Sequence, residues 1–168
     1  EIPKRDWSSD VCSSDLKMGP NLRFLDFRET APQAAKRDMY LDAEGKPVAG
    51  ASLVGHLAAG VPGTVAGLWE AHQKYGRLTW RELLQPAIGL ARDGFVPEPQ
   101  LVERVAESLP DYAGKTNFGR YFGEVAQSPS TSKSSSKFSQ PELARTLERI
   151  AKNGPSGFYA GRTADLKI

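Results

Sequence analysis

The strongest constraint on this chain is that its one convincing strand has too little to pair with. Leu22-Arg23-Phe24-Leu25-Asp26-Phe27-Arg28 alternates loosely and is rich in aromatic residues. That pattern reads as a β-strand, ended near Ala31-Pro32. Met39-Tyr40-Leu41 is a candidate second short strand, and Asp42-Ala43-Glu44-Gly45-Lys46 reads as a turn. Beyond it the pattern is helix or loop. A strand region this short makes no stable sheet alone. The expected fold class is therefore α+β: an incomplete, mostly helical portion of a larger domain whose other strands lie outside this sequence.

The helices are easier to place. Val65, Leu68, Trp69, His72 and Tyr75 follow i, i+3, i+4, i+7 spacing, one face of a 3.6-residue period. Pro62 suits the first turn of that helix and Gly76 its C′ position. Thr79-Trp80-Arg81-Glu82 is a capping box that opens a second helix with Leu83, Leu84, Ala87, Ile88 and Ala91 on its apolar face. Pro86 falls inside this run and predicts a kink or two short helices, and Asp93-Gly94 ends it. A weaker helix spans Pro99 to Leu109. Residues 111–137 read as a Gly- and Ser-rich loop. Ser139-Gln140-Pro141-Glu142 has capping-box spacing before a helix bearing Leu143, Leu147 and Ile150, stopped at Asn153-Gly154-Pro155.

Composition separates the chain into unequal parts. Residues 1–16 hold four Ser, three Asp and the only cysteine, Cys12, and match neither strand nor helix periodicity. They lack the continuous apolar stretch of a signal peptide. Asp6 to Leu16 resembles the translation of a sequencing-adapter primer, so residues 1–16 are expected to be a foreign leader, or else a natural disordered arm. Without them the remaining 152 residues carry 20 basic and 16 acidic groups and no cysteine, which removes any redox inference. Residues 128–139 contain seven Ser in 12 positions. Such a stretch buries too little apolar surface to offset chain entropy, and a flexible loop is expected there. The whole chain has a net charge of +2 over 168 residues, which gives no argument for a nucleic-acid partner. No run approaches the roughly 20 apolar residues of a membrane span.

Few residues suggest chemistry on their own. No metal-ligand spacing is visible, and no cofactor is implied. His56 lies in a Gly-rich turn and His72 on a helix; a structural role is expected for each. Gly55, Gly60 and Gly63 do not form a nucleotide-binding fingerprint and read as backbone freedom before a helix. Arg28-Glu29 is more suggestive. A guanidinium at the end of a buried strand is costly unless it meets an anion, and its planar fork suits a carboxylate. A structural salt bridge at the strand end is the competing explanation.

The run Leu25-Asp26-Phe27-Arg28-Glu29-Thr30-Ala31-Pro32, with Arg37-Asp38-Met39-Tyr40-Leu41-Asp42 behind it, resembles the gamma-glutamyltransferase (glutathione hydrolase) family. So do Gly60-Val61-Pro62-Gly63-Thr64-Val65-Ala66-Gly67, Lys74-Tyr75-Gly76, Gln85-Pro86-Ala87 and Leu90-Ala91-Arg92-Asp93-Gly94-Phe95. Gln140-Pro141-Glu142-Leu143-Ala144 and Asn153-Gly154-Pro155 through Phe158-Tyr159-Ala160-Gly161 complete the series, in the family's order.

The resemblance implies an N-terminal-nucleophile hydrolase with an αββα sandwich, made as a zymogen that cuts itself into a large and a small subunit. It implies a γ-glutamyl substrate such as glutathione, attacked by the Thr exposed at the start of the small subunit. Water or an acceptor amine or peptide then takes the acyl group. Residues 17–168 would be part of the large subunit, with the small subunit from the same precursor as partner and a periplasmic or extracellular location. Arg28 matches the family residue that grips the substrate α-carboxylate, and Glu29 matches a residue near the same pocket. None of Thr30, Thr64, Thr79, Thr116, Thr131, Thr146 or Thr163 matches the nucleophile's motif, so the fragment alone is expected to be inactive. The Ser-rich stretch departs from the charged, Gly-containing loop of the family. A non-catalytic helical binding module on the same scaffold is one alternative. A related amidohydrolase or poly-γ-glutamate-processing enzyme is another.

Overall fold

A computed structural model describes residues 13–127 and 137–165. Most of residues 1–16 and of the Ser-rich 128–139 stretch therefore lie outside the described residues. Two strands, β1 (Ser13–Met18) and β2 (Asn21–Asp26), form an antiparallel hairpin with Ser13 opposite Asp26 and Met18 opposite Asn21. Seven helices follow among the described residues: α1 (Thr64–Tyr75), α2 (Trp80–Asp93), α3 (Pro99–Tyr112), α4 (Phe118–Ala126), α5 (Pro141–Asn153), α6 (Ser156–Tyr159) and α7 (Gly161–Asp165).

The α+β, mostly helical class holds, with several local corrections. Residues 13–16 showed no strand period, yet they belong to β1. Pairing there runs through backbone groups and needs no side-chain alternation. Met39-Tyr40-Leu41 is not a strand; Leu41 makes only an isolated bridge to Pro47. Residues 118–126 are helical rather than loop, because Phe118, Phe122 and Val125 share a face that the surrounding Gly and Ser obscured. Helix α2 runs through Pro86 as one helix. Trp80 and Leu84 before the proline, and Ile88 and Ala91 after it, keep α2 against α5 and offset the single lost bond.

Two small cores result. Helices α3 and α4 close on Val102, Val105 and Val125, with Phe118, Phe122 and Phe138 packed around them. Helices α2 and α5 bury Ile88, Ala91, Ala144 and Ile150. Phe95 and Phe138 exchange backbone hydrogen bonds of 3.1 and 2.8 Å, so α3 and α4 form an excursion whose two ends are tied together beside the second core. The Trp80 indole N–H donates to the Ile150 carbonyl at 3.0 Å, and Trp69 stacks edge-on against Trp80 with centroids 5.2 Å apart. Gly154 ends α5 at φ 59 and lies flat on the Trp69 ring, where a Cβ would come within 3.2 Å.

The helix boundaries show which local signals acted. The Thr79 capping box forms: the Glu82 amide donates to the Thr79 hydroxyl at 3.3 Å, and the Thr79 amide donates to the Glu82 carboxylate at 2.8 Å. At α5 the N-cap is Gln140, one residue past the expected Ser139, and no side chain caps it. Helix α1 starts at Thr64 with Gly63 as N-cap, so Pro62 stands outside the first turn. Gly76 caps α1 in an extended conformation, φ −66, rather than as a left-handed C′ residue.

Phe27 is buried against Gly67 of α1, whose missing Cβ makes room for the phenyl ring. Gly67→Ala is expected to lower stability by about 1–3 kcal/mol, as overpacking does, and urea denaturation of the chain measures it. The Thr79 hydroxyl and amide hold the Glu82 carboxyl below its ordinary 4.5. A lowered folded pKa stabilises fully above the unfolded value and loses that contribution as pH falls through the folded one. The stability difference between wild type and Thr79→Ala should therefore shrink on acidification below about pH 4.5, with wild type the more stable at neutral pH. Paired denaturation curves across that range give the comparison.

Candidate functional site

Strand β2 delivers Arg28 and Glu29 immediately after the buried Phe27. The Arg28 amide donates to the Asp26 carboxylate at 3.1 Å, which turns the chain out of the hairpin. Two residues on, Thr30 and Val61 exchange backbone hydrogen bonds of 3.1 and 2.8 Å. This bridge joins the strand's exit to the segment that leads into α1. Between its two ends runs the turn-rich stretch 31–60, in which Tyr40 donates to the Leu57 carbonyl at 3.1 Å.

The glycines of the 60–67 segment act through contact. Gly63 has φ −93, which any residue adopts, so conformational freedom is not the reason for glycine there. A Cβ at Gly63 would overlap the Phe27 carbonyl oxygen and lie 2.7 Å from that of Arg28, and one at Gly60 would lie 2.7 Å from the Glu29 side chain. The earlier reading of backbone freedom is thus corrected for both. It holds for Gly55, at φ 108 with open space around it. Residues 27–30 lie directly on this bare backbone.

The expected burial of Arg28 is also corrected. Strand β2 is largely exposed, and the Arg28 side chain is 63% exposed with Glu29 at 43%. The Arg28 Nε donates to Glu29 Oε1 at 3.0 Å. An exposed pair of this kind contributes about 0–1 kcal/mol, so it does little for the fold. What it does is orient the guanidinium. The pair engages Nε, and the exposure of the side chain leaves the rest of the guanidinium open to solvent, where a planar fork can receive a carboxylate. The site is a surface, not a cavity. Two cavities lie elsewhere: a polar cleft of about 500 Å³ between Arg81, Arg92 and Lys152, and an apolar groove of about 540 Å³ between Leu68, Trp80 and Leu147.

His72 behaves as a structural group. His72 Nε2 lies 2.8 Å from the Leu78 carbonyl, so that nitrogen carries the proton, and the ring packs beside Trp69 and Trp80. Among the described residues no group of three or more His, Cys, Asp or Glu is placed to hold a metal. No described helix is long and apolar enough to cross a membrane.

Sequence reasoning missed one residue that supports the site. Tyr159 of α6 donates its hydroxyl to the Pro62 carbonyl at 2.6 Å and accepts the Ala66 amide at 3.3 Å. It thereby satisfies one of the open N–H groups in the first turn of α1, which Gly63 has no side chain to cap. The pairing spans 97 residues, beyond the reach of any local pattern.

Comparison with known proteins fits this arrangement. The family model for gamma-glutamyltranspeptidase matches residues 15–167. The glutathione hydrolase proenzyme of Pseudomonas aeruginosa is 52% identical over 145 residues, covering 86% of this chain and 25% of the relative. The gamma-glutamyltranspeptidase from Pseudomonas nitroreducens, solved in complex with L-DON, superposes with a TM-score of 0.80 at 51% identity over 93% of this chain and 44% of that one. The Bacillus anthracis transpeptidase CapD superposes at 0.67 and 28% identity over 92% and 46%. The chain spans about a quarter of the length of the curated relatives it matches. The described helices and hairpin are those of a portion of an N-terminal-nucleophile hydrolase fold, and the chain belongs to the gamma-glutamyltranspeptidase family.

Proposed function

We propose that this chain is part of the large subunit of an enzyme that cleaves γ-glutamyl amides such as glutathione. Arg28 binds the substrate's α-carboxylate there, and Glu29 sets the orientation of Arg28. The observation that carries the proposal is the Arg28–Glu29 pair after β2, which ties Arg28 Nε to the Glu29 carboxylate while the guanidinium stays largely exposed and open to an anion. The nucleophile is a Thr at the start of a small subunit cut from the same precursor, and it is not in this chain. Its hydroxyl, activated by its own terminal amine, adds to the γ-glutamyl carbonyl. Collapse of the tetrahedral intermediate expels the amine and leaves an acyl-enzyme, which water or an acceptor amine or peptide then resolves. Neither catalysis nor hydrolysis needs a cofactor in this scheme. Cleavage of extracellular or periplasmic glutathione is the setting in which such an enzyme acts.

The proposal extends to the chain's organisation. Residues 1–16 are a foreign leader, and residues 17–168 are the enzyme's own. The family match begins at residue 15, two residues inside this leader. Among the described residues Leu68 and Leu83 are exposed and line one apolar groove, and an apolar surface of this kind marks where other protein meets it. The small subunit and the rest of the sandwich are the partners it fits.

Two measurements test this reading. The purified 168-residue chain, incubated with a chromogenic γ-glutamyl anilide, is expected to release no aniline above the uncatalysed rate; real turnover would sink the assignment of the nucleophile to another segment. In the longer enzyme, Arg28→Gln removes charge-assisted hydrogen bonds to the substrate and should raise KM for the anilide about 10- to 100-fold. Arg28→Lys should fall between, since a point charge replaces a fork. An unchanged KM in both variants would count against the carboxylate role.

A further inference from the structure

We propose that Tyr159 is a positioning residue for Arg28, acting through the backbone of residues 61–63. The inference rests on the reading of Arg28 as the carboxylate clamp and adds the group that holds the clamp's platform in place. Arg28 is exposed and its only ion-pair partner among the described residues is its own neighbour, Glu29, so no ion pair with another element fixes its height or angle. Its position is set by its main chain. That main chain lies on Gly63, and two residues on it is bonded to Val61 in both directions. The carbonyl between those two contacts belongs to Pro62, and it accepts the Tyr159 hydroxyl at 2.6 Å.

Among the described residues, the Tyr159 hydroxyl is the side-chain group that hydrogen-bonds this segment. Gly63 provides no side-chain cap to α1, and Pro62 has no N–H. Tyr159 closes the gap by engaging Pro62 and Ala66 together, which fixes the segment relative to the first turn of α1. Its own ring is held against Phe158 with centroids 5.0 Å apart, and α6 is seated on α5 by Gly157, where any Cβ would overlap the Arg149 carbonyl. A rigid path therefore runs from the α2–α5 core through α6 and the Tyr159 hydroxyl to the platform under Arg28. The hydroxyl touches neither substrate nor reacting atoms, so its effect is on where the guanidinium sits and not on bond cleavage.

Tyr159→Phe keeps the ring and deletes the hydroxyl alone. In the longer enzyme, hydrogen exchange at the Thr30 and Val61 amides is expected to accelerate about fivefold, while the Gly94 and Ala144 amides in the α2–α5 unit stay unchanged. Unchanged exchange at Thr30 and Val61, or equal acceleration everywhere, would overturn the inference. In the longer enzyme the same variant should raise KM for the γ-glutamyl anilide several-fold with kcat retained. If Arg28→Gln raises KM and Tyr159→Phe leaves it alone, positioning by Tyr159 is wrong and the clamp stands. If Arg28→Gln leaves KM alone, the clamp is wrong, and the exchange result alone decides whether Tyr159 holds the platform.

Discussion

The close approach of residues 27–30 to the backbone of residues 60–67 is the contact on which the candidate site depends. A two-stranded hairpin is marginal by itself in water. Here most of β2 is exposed, and Phe27 is the one residue of the strand's exit that is buried. Burying a phenylalanine contributes about 1.5–3 kcal/mol, enough to seat the end of a ribbon on a helix. That seat exists only because three positions on the opposing segment lack a Cβ. Any side chain at Gly63 or Gly67 would push the strand outward and carry Arg28 with it.

This contact also explains why a charged pair so open to water has a defined place. The Arg28–Glu29 interaction is too weak to order its own surroundings. Order comes from the main chain beneath it, by way of the Thr30–Val61 bridge and the bare glycine backbone. An exposed guanidinium on a fixed main chain remains hydrated and ready to exchange water for an anion. A buried one would need its counter-charge built in, at a desolvation cost that no described partner offsets.

The legible and illegible parts of the chain divide by range. The Thr79–Glu82 cap and the Gly154 stop are local chemistry, and both stand where the sequence pattern placed them. Arg28 and Glu29 were legible as a motif, and their side-chain types already suggested anion binding. Their exposure was not legible, because it depends on which strands flank β2, and alternation within one segment carries no such information. Helix α4 was lost because Gly119 and Gly123 dilute a face that only its packing on α3 reveals. Pro86 misled in the opposite sense: a local penalty was read correctly, and a tertiary contact with α5 outweighed it.

Tyr159 is the extreme case of the same rule. No property of residues 156–161 announces that a hydroxyl there will cap the first turn of a helix by accepting an amide 93 residues earlier. The need was visible at the other end: α1 begins at a glycine, after a proline, with no Ser, Thr, Asp or Asn in the N-cap position. A helix start without a local cap leaves N–H groups that something must satisfy. In this chain the glycine was required by the strand above it, so the cap had to come from elsewhere. The demand for a flat surface under Arg28 and the demand for a distant tyrosine are thus one constraint, set by the absent side chain of Gly63.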